Sequence, residues 1–370
     1  MNIYDYVKWR GDISFKQSPF NELDSLILTQ MPYLDWSKIP ADQTPTLAEA
    51  APTLTKPKTL LFKERYLLAL KIAQSERFKD IKIINYTHDF RPEEEKQFCA
   101  MTFKLPDHTY YVAYEGTDST LVGWKENFNM TYMSPTPAQR DALKYLRKTI
   151  SPLRFVRIGG HSKGGNLAFY AAIMVKKPYK IIEVHNFDGP GFTQDFIDQE
   201  EYELIRDKLK TFIPQSSVIG RLLNNKNQTV VVKSGAQRML FQHDVISWEV
   251  DFNKLLYITE TTRESRFMEQ LFDDWYNQVS VDDKIVFINT VYETLLELGY
   301  TTSTQITSHP ARVMAEMTKK AVSFKPEIRN ILLSVIGVLL KCNVRSFYDN
   351  YVDSILNKRN EVKDENTDIQ

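Results

Sequence analysis

The sequence has almost no cysteine, no net charge and no hydrophobic run long enough to cross a bilayer, and each shortage removes a class of function. Cys99 and Cys342 are its two cysteines, far apart and in no metal-ligand or redox spacing. They offer no disulfide framework and no thiolate metal centre, and a reducing, cytoplasmic compartment is expected. Lysine plus arginine and aspartate plus glutamate both total 47. That balance leaves no overall field for nucleic acid or an anionic membrane surface and favours a small or neutral ligand. Met1 to Arg10 mixes Asp5, Lys8 and Arg10 with aromatics, without the basic and apolar regions of a secretory signal. The most apolar stretch, Ile331 to Leu340, has about half the ~20 residues that a membrane-spanning helix needs. It reads as a core helix, with peripheral membrane contact as the alternative.

What is present suits a folded protein of enzyme size. Hydrophobic residues make up 42% and aromatics 12% of the 370 residues, enough for a large core and an apolar pocket. Prolines at positions 19, 32, 40, 45, 52 and 57 prevent long helices in the first sixty residues, which are expected to wrap a core. Periodicity predicts a helix from Phe62 to Phe78 and strands at Ile81 to Tyr86, Phe98 to Phe103 and Tyr110 to Tyr114. It then alternates helix Pro137 to Thr149, strand Phe155 to Ile158, helix Gly165 to Val175, strand Lys180 to Phe187 and strand Thr229 to Lys233. Such alternation implies a parallel sheet with crossover helices. Polar helical sequence from Gln194 to Leu209 and the stretch beyond it suggest a cap insertion at 193–228. Residues 1–252 are thus expected to form an α/β core, 253–356 a helical C-terminal region that includes Lys284 to Leu298 and Pro326 to Lys341, and 357–370 a charged, frayed tail.

One motif carries chemistry. Gly160-His161-Ser162-Lys163-Gly164 is a G-x-S-x-G elbow placed between a hydrophobic strand and an alanine-rich helix. Glycines on both sides permit a strained turn that exposes the serine hydroxyl, and the helix that follows presents unpaired N–H groups to a developing oxyanion. The Lys163 N–H is the first such donor.

The elbow resembles the G-H-S-L-G-G of the fungal-type triacylglycerol lipases, often called class three lipases. Upstream, Tyr114-Glu115-Gly116-Thr117-Asp118-Ser119, followed by Trp124 and Asn127, is similar to that family's F-R-G-T-x-S…W…N segment. The resemblance implies a mostly parallel α/β-hydrolase-like sheet flanked by helices, and it places Thr117 as the second oxyanion donor. Asp5-Tyr6 through Gly11-Asp12, Asn21-Glu22-Leu23-Asp24 and Gln242-His243-Asp244 resemble a family of uncharacterised bacterial lipase-like proteins over roughly residues 1–250. Two departures stand out: Lys163 replaces the usual leucine, which suggests altered acyl-chain or headgroup preference, and Glu115 replaces the usual arginine.

A serine nucleophile needs a base, and the base needs an orienting acid. Of the six histidines, His161 should point away from Ser162 and serve packing or support of the site from behind, His88 and His108 suit the surface, and His185 suits the core. His243 and His309 remain as bases; Asp188, at the end of the strand after the elbow, and Asp244, in a segment resembling the lipases' D-x-V-P, remain as acids. Adjacent His243 and Asp244 would face opposite ways in extended backbone, so the residues leave two sets open. The set favoured is Ser162 with His243 and Asp188, since Asp188 is the better-placed partner for His243; the alternative is Ser162 with His309 and Asp244. Neither needs a metal or organic cofactor. The function expected is ester hydrolysis on an acyl lipid or small ester; the alternative is a binding or scaffold protein that keeps the elbow without a productive base.

Overall fold

The computed structural model of the chain describes residues 1–57, 60–118, 120–151, 154–330 and 332. Ser119, Cys342, the tail at 357–370 and, Leu332 apart, the stretch Ile331 to Leu340 lie outside the described residues.

Seven strands in chain order form most of one sheet: β1 (Lys82–Arg91), β2 (Lys96–Lys104), β3 (Tyr110–Tyr114), β4 (Val156–His161), β5 (Ile181–Phe187), β6 (Leu209–Pro214) and β7 (Gln228–Val232). They lie side by side in that same order, and the two-residue strand Tyr257–Ile258 pairs beyond β7. β1 to β3 form an antiparallel meander, whereas β3 to β7 are parallel. Parallel neighbours need crossovers. Helices Leu121–Asn129 (α1) and Pro137–Thr149 (α2) connect β3 to β4, and Lys163–Met174 (α3) connects β4 to β5. This is an α/β-hydrolase-like fold, a mostly parallel central sheet flanked by helices.

Local sequence explains these elements. α2 opens on a capping box between Thr136 and Gln139 with Pro137 at its first position, and it buries Ala138, Ala142, Tyr145 and Leu146. α3 is buried along almost its whole length and packs with β4 and β5 in a core containing Val112, Ile158, Leu167, Phe169 and Val184. Each such side chain removed from water contributes about 1.5–3 kcal/mol.

The N-terminal wrap contains short helices rather than irregular chain alone. Ile3–Arg10 and Glu22–Leu28 each start with a capping box, Asn2 with Asp5 and Asn21 with Asp24. Arg77 clamps this wrap. Its guanidinium meets the buried Asp24 carboxylate at 2.5 and 2.7 Å and the carbonyls of Ile13, Ser18 and Pro19 at 3.0 Å.

One sequence expectation is corrected here. Residues 193–228 do not form a helical cap: after two single-turn helices, Gln194–Ile197 and Glu200–Glu203, the chain enters the sheet as β6, whose Leu209, Phe212 and Ile213 are buried. A six-residue strand starting Leu-Lys-Thr and ending at Pro214 carries too short an apolar run to show against its polar flanks.

The chain divides into two compact units, one of Met1–Val281 with Thr301–Thr304 and the other of Asp282–Tyr300 with Gln305–Gln370. In the second, Lys320 pairs with Glu297, and the Tyr300 hydroxyl donates to Glu316 at 2.7 Å. No described helix is long and apolar enough to cross a membrane.

Candidate active site

Ser162 sits where β4 gives way to α3, with φ 57° and ψ −132°. For a residue with a Cβ this backbone costs roughly 1–3 kcal/mol, so the surroundings must hold it. Ser162 N–H donates to the Phe187 carbonyl at 2.9 Å, and its own carbonyl accepts from Gly165 N–H at 2.9 Å. Glycine at 160 is required by contact, since a Cβ there would lie 2.0 Å from the Gly164 carbonyl oxygen.

Parallel pairing of β4 with β5 places His161 opposite Phe187, so Ser162 and Asp188 leave the sheet together at its carboxyl edge. Asp188 is 1% exposed, has φ 52°, and donates its N–H to the Phe212 carbonyl at 2.8 Å. One carboxylate oxygen accepts from Ser217 Oγ at 2.5 Å and Gly220 N–H at 3.1 Å. The other lies 2.7 Å from His243 Nδ1, and His243 Nε2 lies 3.0 Å from Ser162 Oγ. A carboxylate accepts, so Nδ1 carries the proton and Nε2 presents a lone pair to the serine hydroxyl.

His243 ends a short 3-10 helix, Met239–His243, in the loop after β7. Buried Gln242 pins that loop: its side chain accepts from Ser216 N–H at 2.9 Å and donates to the Ala236 carbonyl at 2.9 Å, while its own carbonyl accepts from the Trp248 indole at 2.7 Å.

Asp244 is not brought to an imidazole. Its carboxylate faces the Arg65 guanidinium at 3.4 Å and the Ile246 N–H at 3.4 Å. His309, at the start of helix Pro310–Ala321, belongs to the second unit and is exposed. His185 packs in the core against Phe187 and Phe212, and His88 and His108 are exposed.

The loop after β3 meets the elbow closely. A Cβ on Gly116 would lie 3.1 Å from Ser162 Cβ and 2.5 Å from the His161 carbonyl oxygen. The next residue, Thr117, has its hydroxyl oxygen bound by Asn127 Nδ2 at 2.6 Å, which leaves the hydroxyl proton to donate. Lys163 is the first residue of α3, where backbone N–H groups have no acceptor within the helix.

The Lys163 side chain does not reach the cleft, contrary to the expectation of a role in acyl-chain or headgroup preference. It is fully buried, with Nζ on the Gln97 carbonyl at 2.6 Å, the Gln97 side-chain oxygen at 2.5 Å and Glu126 at 3.0 Å. Gln97 in turn donates to Glu115 at 3.1 Å. Both departures from the lipase motif therefore meet on one residue. Lys163→Leu is expected to cost about 3–5 kcal/mol of stability, because it leaves the Glu126 carboxylate buried without its cation. Chemical denaturation checks this, and unchanged stability would contradict it.

Burial, reinforced by Asp118, pushes the Glu115 carboxyl from 4.5 up to about 8. A carboxyl raised on folding contributes stability below its unfolded value and loses that contribution as pH rises through the folded one. Here that window runs from about 4.5 to about 8. Glu115→Gln, which stays neutral, is therefore expected to weaken the loss of stability across this window and to melt above the wild type on its alkaline side. Melting curves at several pH values test it, and parallel pH dependences for both proteins would count against it.

Sequence reasoning missed Ser217, Tyr33, Gln97 and Arg65, which support the site from distant parts of the chain and carry no motif. Among the described residues no group of three or more His, Cys, Asp or Glu stands ready to hold a metal ion.

The family described as Mbeg1-like matches residues 72–293, a span that runs from before β1 to beyond His243. The chain belongs to the Mbeg1-like family. No curated protein matches it. Among solved structures, lipase II from Rhizopus niveus is 16% identical with a TM-score of 0.35, covering 45% of this chain and 71% of its own. M37 lipase is 16% identical with a TM-score of 0.40, covering 56% and 71%. The nonglycosylated Yarrowia lipolytica LIP2 lipase is 13% identical with a TM-score of 0.37, covering 60% and 89%. In this Mbeg1-like chain the residues from β3 to the His243 loop all lie within the family match.

Proposed function

We propose that this Mbeg1-like protein is a lipase-like serine hydrolase that cleaves carboxylic esters, of an acyl lipid or a small alcohol, in a reducing cytoplasmic compartment. The observation that carries this reading is the unbroken chain Ser162 Oγ, His243, Asp188 at the carboxyl edge of a parallel sheet. Ser162 Oγ attacks the ester carbonyl as His243 Nε2 takes its proton, and Asp188 holds the imidazole in the accepting tautomer and stabilises the imidazolium. The Lys163 N–H and the Thr117 N–H and hydroxyl stabilise the tetrahedral oxyanion. The imidazolium then protonates the departing alcohol, and a water activated by His243 releases the acid from the Ser162 ester.

The test is turnover by purified protein on a p-nitrophenyl ester series from acetate to laurate. Saturable hydrolysis, with kcat on the order of 1 s⁻¹ or more on some member, is expected. No hydrolysis across the series would favour the binding or scaffold alternative.

A further inference from the structure

We infer that Tyr33 and His161 are positioning residues, linked by hydrogen bonds into a relay that holds the main chain of the base and the oxyanion loop in register around Ser162. The inference rests on the esterase reading and deepens it.

His161 Nε2 lies 2.8 Å from the His243 backbone oxygen, and His161 Nδ1 lies 3.1 Å from the Tyr33 hydroxyl. A carbonyl only accepts, so Nε2 carries the proton. Burial, with the neighbouring imidazole of His243, holds His161 far below the ordinary histidine range, so the ring is neutral and Nδ1 is an acceptor. The Tyr33 hydroxyl must donate to it; burial raises this phenol, which therefore keeps its proton. Tyr33 still has lone pairs, and the Gly116 N–H donates to it at 3.1 Å. Every proton in the relay has one place: Gly116 N–H to Tyr33 O, Tyr33 O–H to His161 Nδ1, and His161 Nε2–H to the His243 carbonyl.

The relay ends on the two parts of the site that must keep their distance from Ser162. At one end is the backbone of the residue whose imidazole takes the serine proton. At the other is the residue before Thr117, whose N–H is directed to Tyr33, leaving that of Thr117 for the oxyanion. Arg65 closes the arrangement, with its guanidinium 4.8 Å from the Tyr33 ring centroid and 3.4 Å from Asp244, the residue after the base. Neutrality at His161 matters as well: its ring lies 4.7 Å from that of His243, so a second cation there would oppose the imidazolium formed in turnover. Lone histidines beside nucleophiles often serve packing alone, but packing does not require both ring nitrogens to be bonded to these partners.

The experiment measures p-nitrophenyl butyrate hydrolysis and melting temperature for the full chain and four variants. Ser162→Ala is the control for the esterase reading; if it retains activity, that reading fails before the relay is at issue. Tyr33→Phe is expected to lower kcat about tenfold or more with KM within about twofold, because misplacing reacting groups slows chemistry without weakening ground-state binding. His161→Leu is expected to lose about 100-fold. His161→Gln, whose amide can donate to the His243 carbonyl, is expected to regain most of that loss. Unchanged kcat in Tyr33→Phe, or equal losses in His161→Leu and His161→Gln, would overturn the inference. Should His161→Leu fail to fold, Tyr33→Phe and His161→Gln still decide: a Gln variant as inactive as Ser162→Ala overturns it, and one within about fivefold of wild type supports it.

Discussion

Ser162→Ala is expected to lower kcat for ester hydrolysis about a millionfold, to the residual rate that oxyanion donors and binding alone provide. The loss is this large because the proposed mechanism makes the hydroxyl the bond-forming atom, and no neighbouring side chain can replace it at the same point. The folded state should barely register the change. Alanine keeps the Cβ, the strained backbone is held by main-chain bonds to Phe187 and Gly165, and the side-chain bond removed is the one to His243. Stability is therefore expected within about 1 kcal/mol of wild type. Progress curves at high enzyme concentration, with thermal melts alongside, check both halves. A variant that melts normally and turns over at a tenth of the wild-type rate would place the nucleophile elsewhere.

Loss of the base should be nearly as severe. His243→Ala is expected to fall to about the same floor, and adding Ser162→Ala should cost little more, because residues that act as one unit are far from additive. Asp188→Asn is expected to lose about 10³–10⁴-fold in kcat: an amide facing Nδ1 favours the wrong tautomer and directs a proton at Ser162. Asp188 also accepts from Ser217 and Gly220, so part of the Asn effect will appear as lost stability, and kcat must be compared with melting temperature. His309→Ala should leave kcat within about twofold, since Ser162 Oγ already has His243 as its partner. A large loss at His309 with none at His243 would reverse the assignment.

The elbow was legible because its chemistry is local: glycines, a strand before and a helix after all fall between Val156 and Met174. β3, β4, β5 and α2 were legible for the same reason, and the predicted bounds of α2 and β3 match those observed. The choice between His243 and His309 was legible only as a preference for His243, because it depends on where one loop turns. That turn is set by Gln242 bonding to Ser216 and Ala236 and by Trp248, contacts that no spacing encodes. β6 escaped notice because burial in a parallel sheet came from its neighbours rather than from its own short run of apolar residues. Lys163 misled for another reason. A charged residue beside a nucleophile looks like a specificity element, but helix geometry turned it inward, where Gln97 and Glu126 were waiting to pair with it. Glu115, the second departure, sits on the same glutamine, so the two departures share one hydrogen-bonded group.

Fluorophosphonate labelling read by peptide mass spectrometry tests the central claim most directly, because the probe forms a bond with a serine only when a base has activated it. The wild type should gain one adduct, on the peptide carrying Ser162, and lose ester hydrolysis in proportion. Ser162→Ala should gain none, and His243→Ala should label at least about 1,000 times more slowly. An adduct on another residue, or equal labelling of wild type and His243→Ala, would contradict the Ser162, His243 and Asp188 assignment.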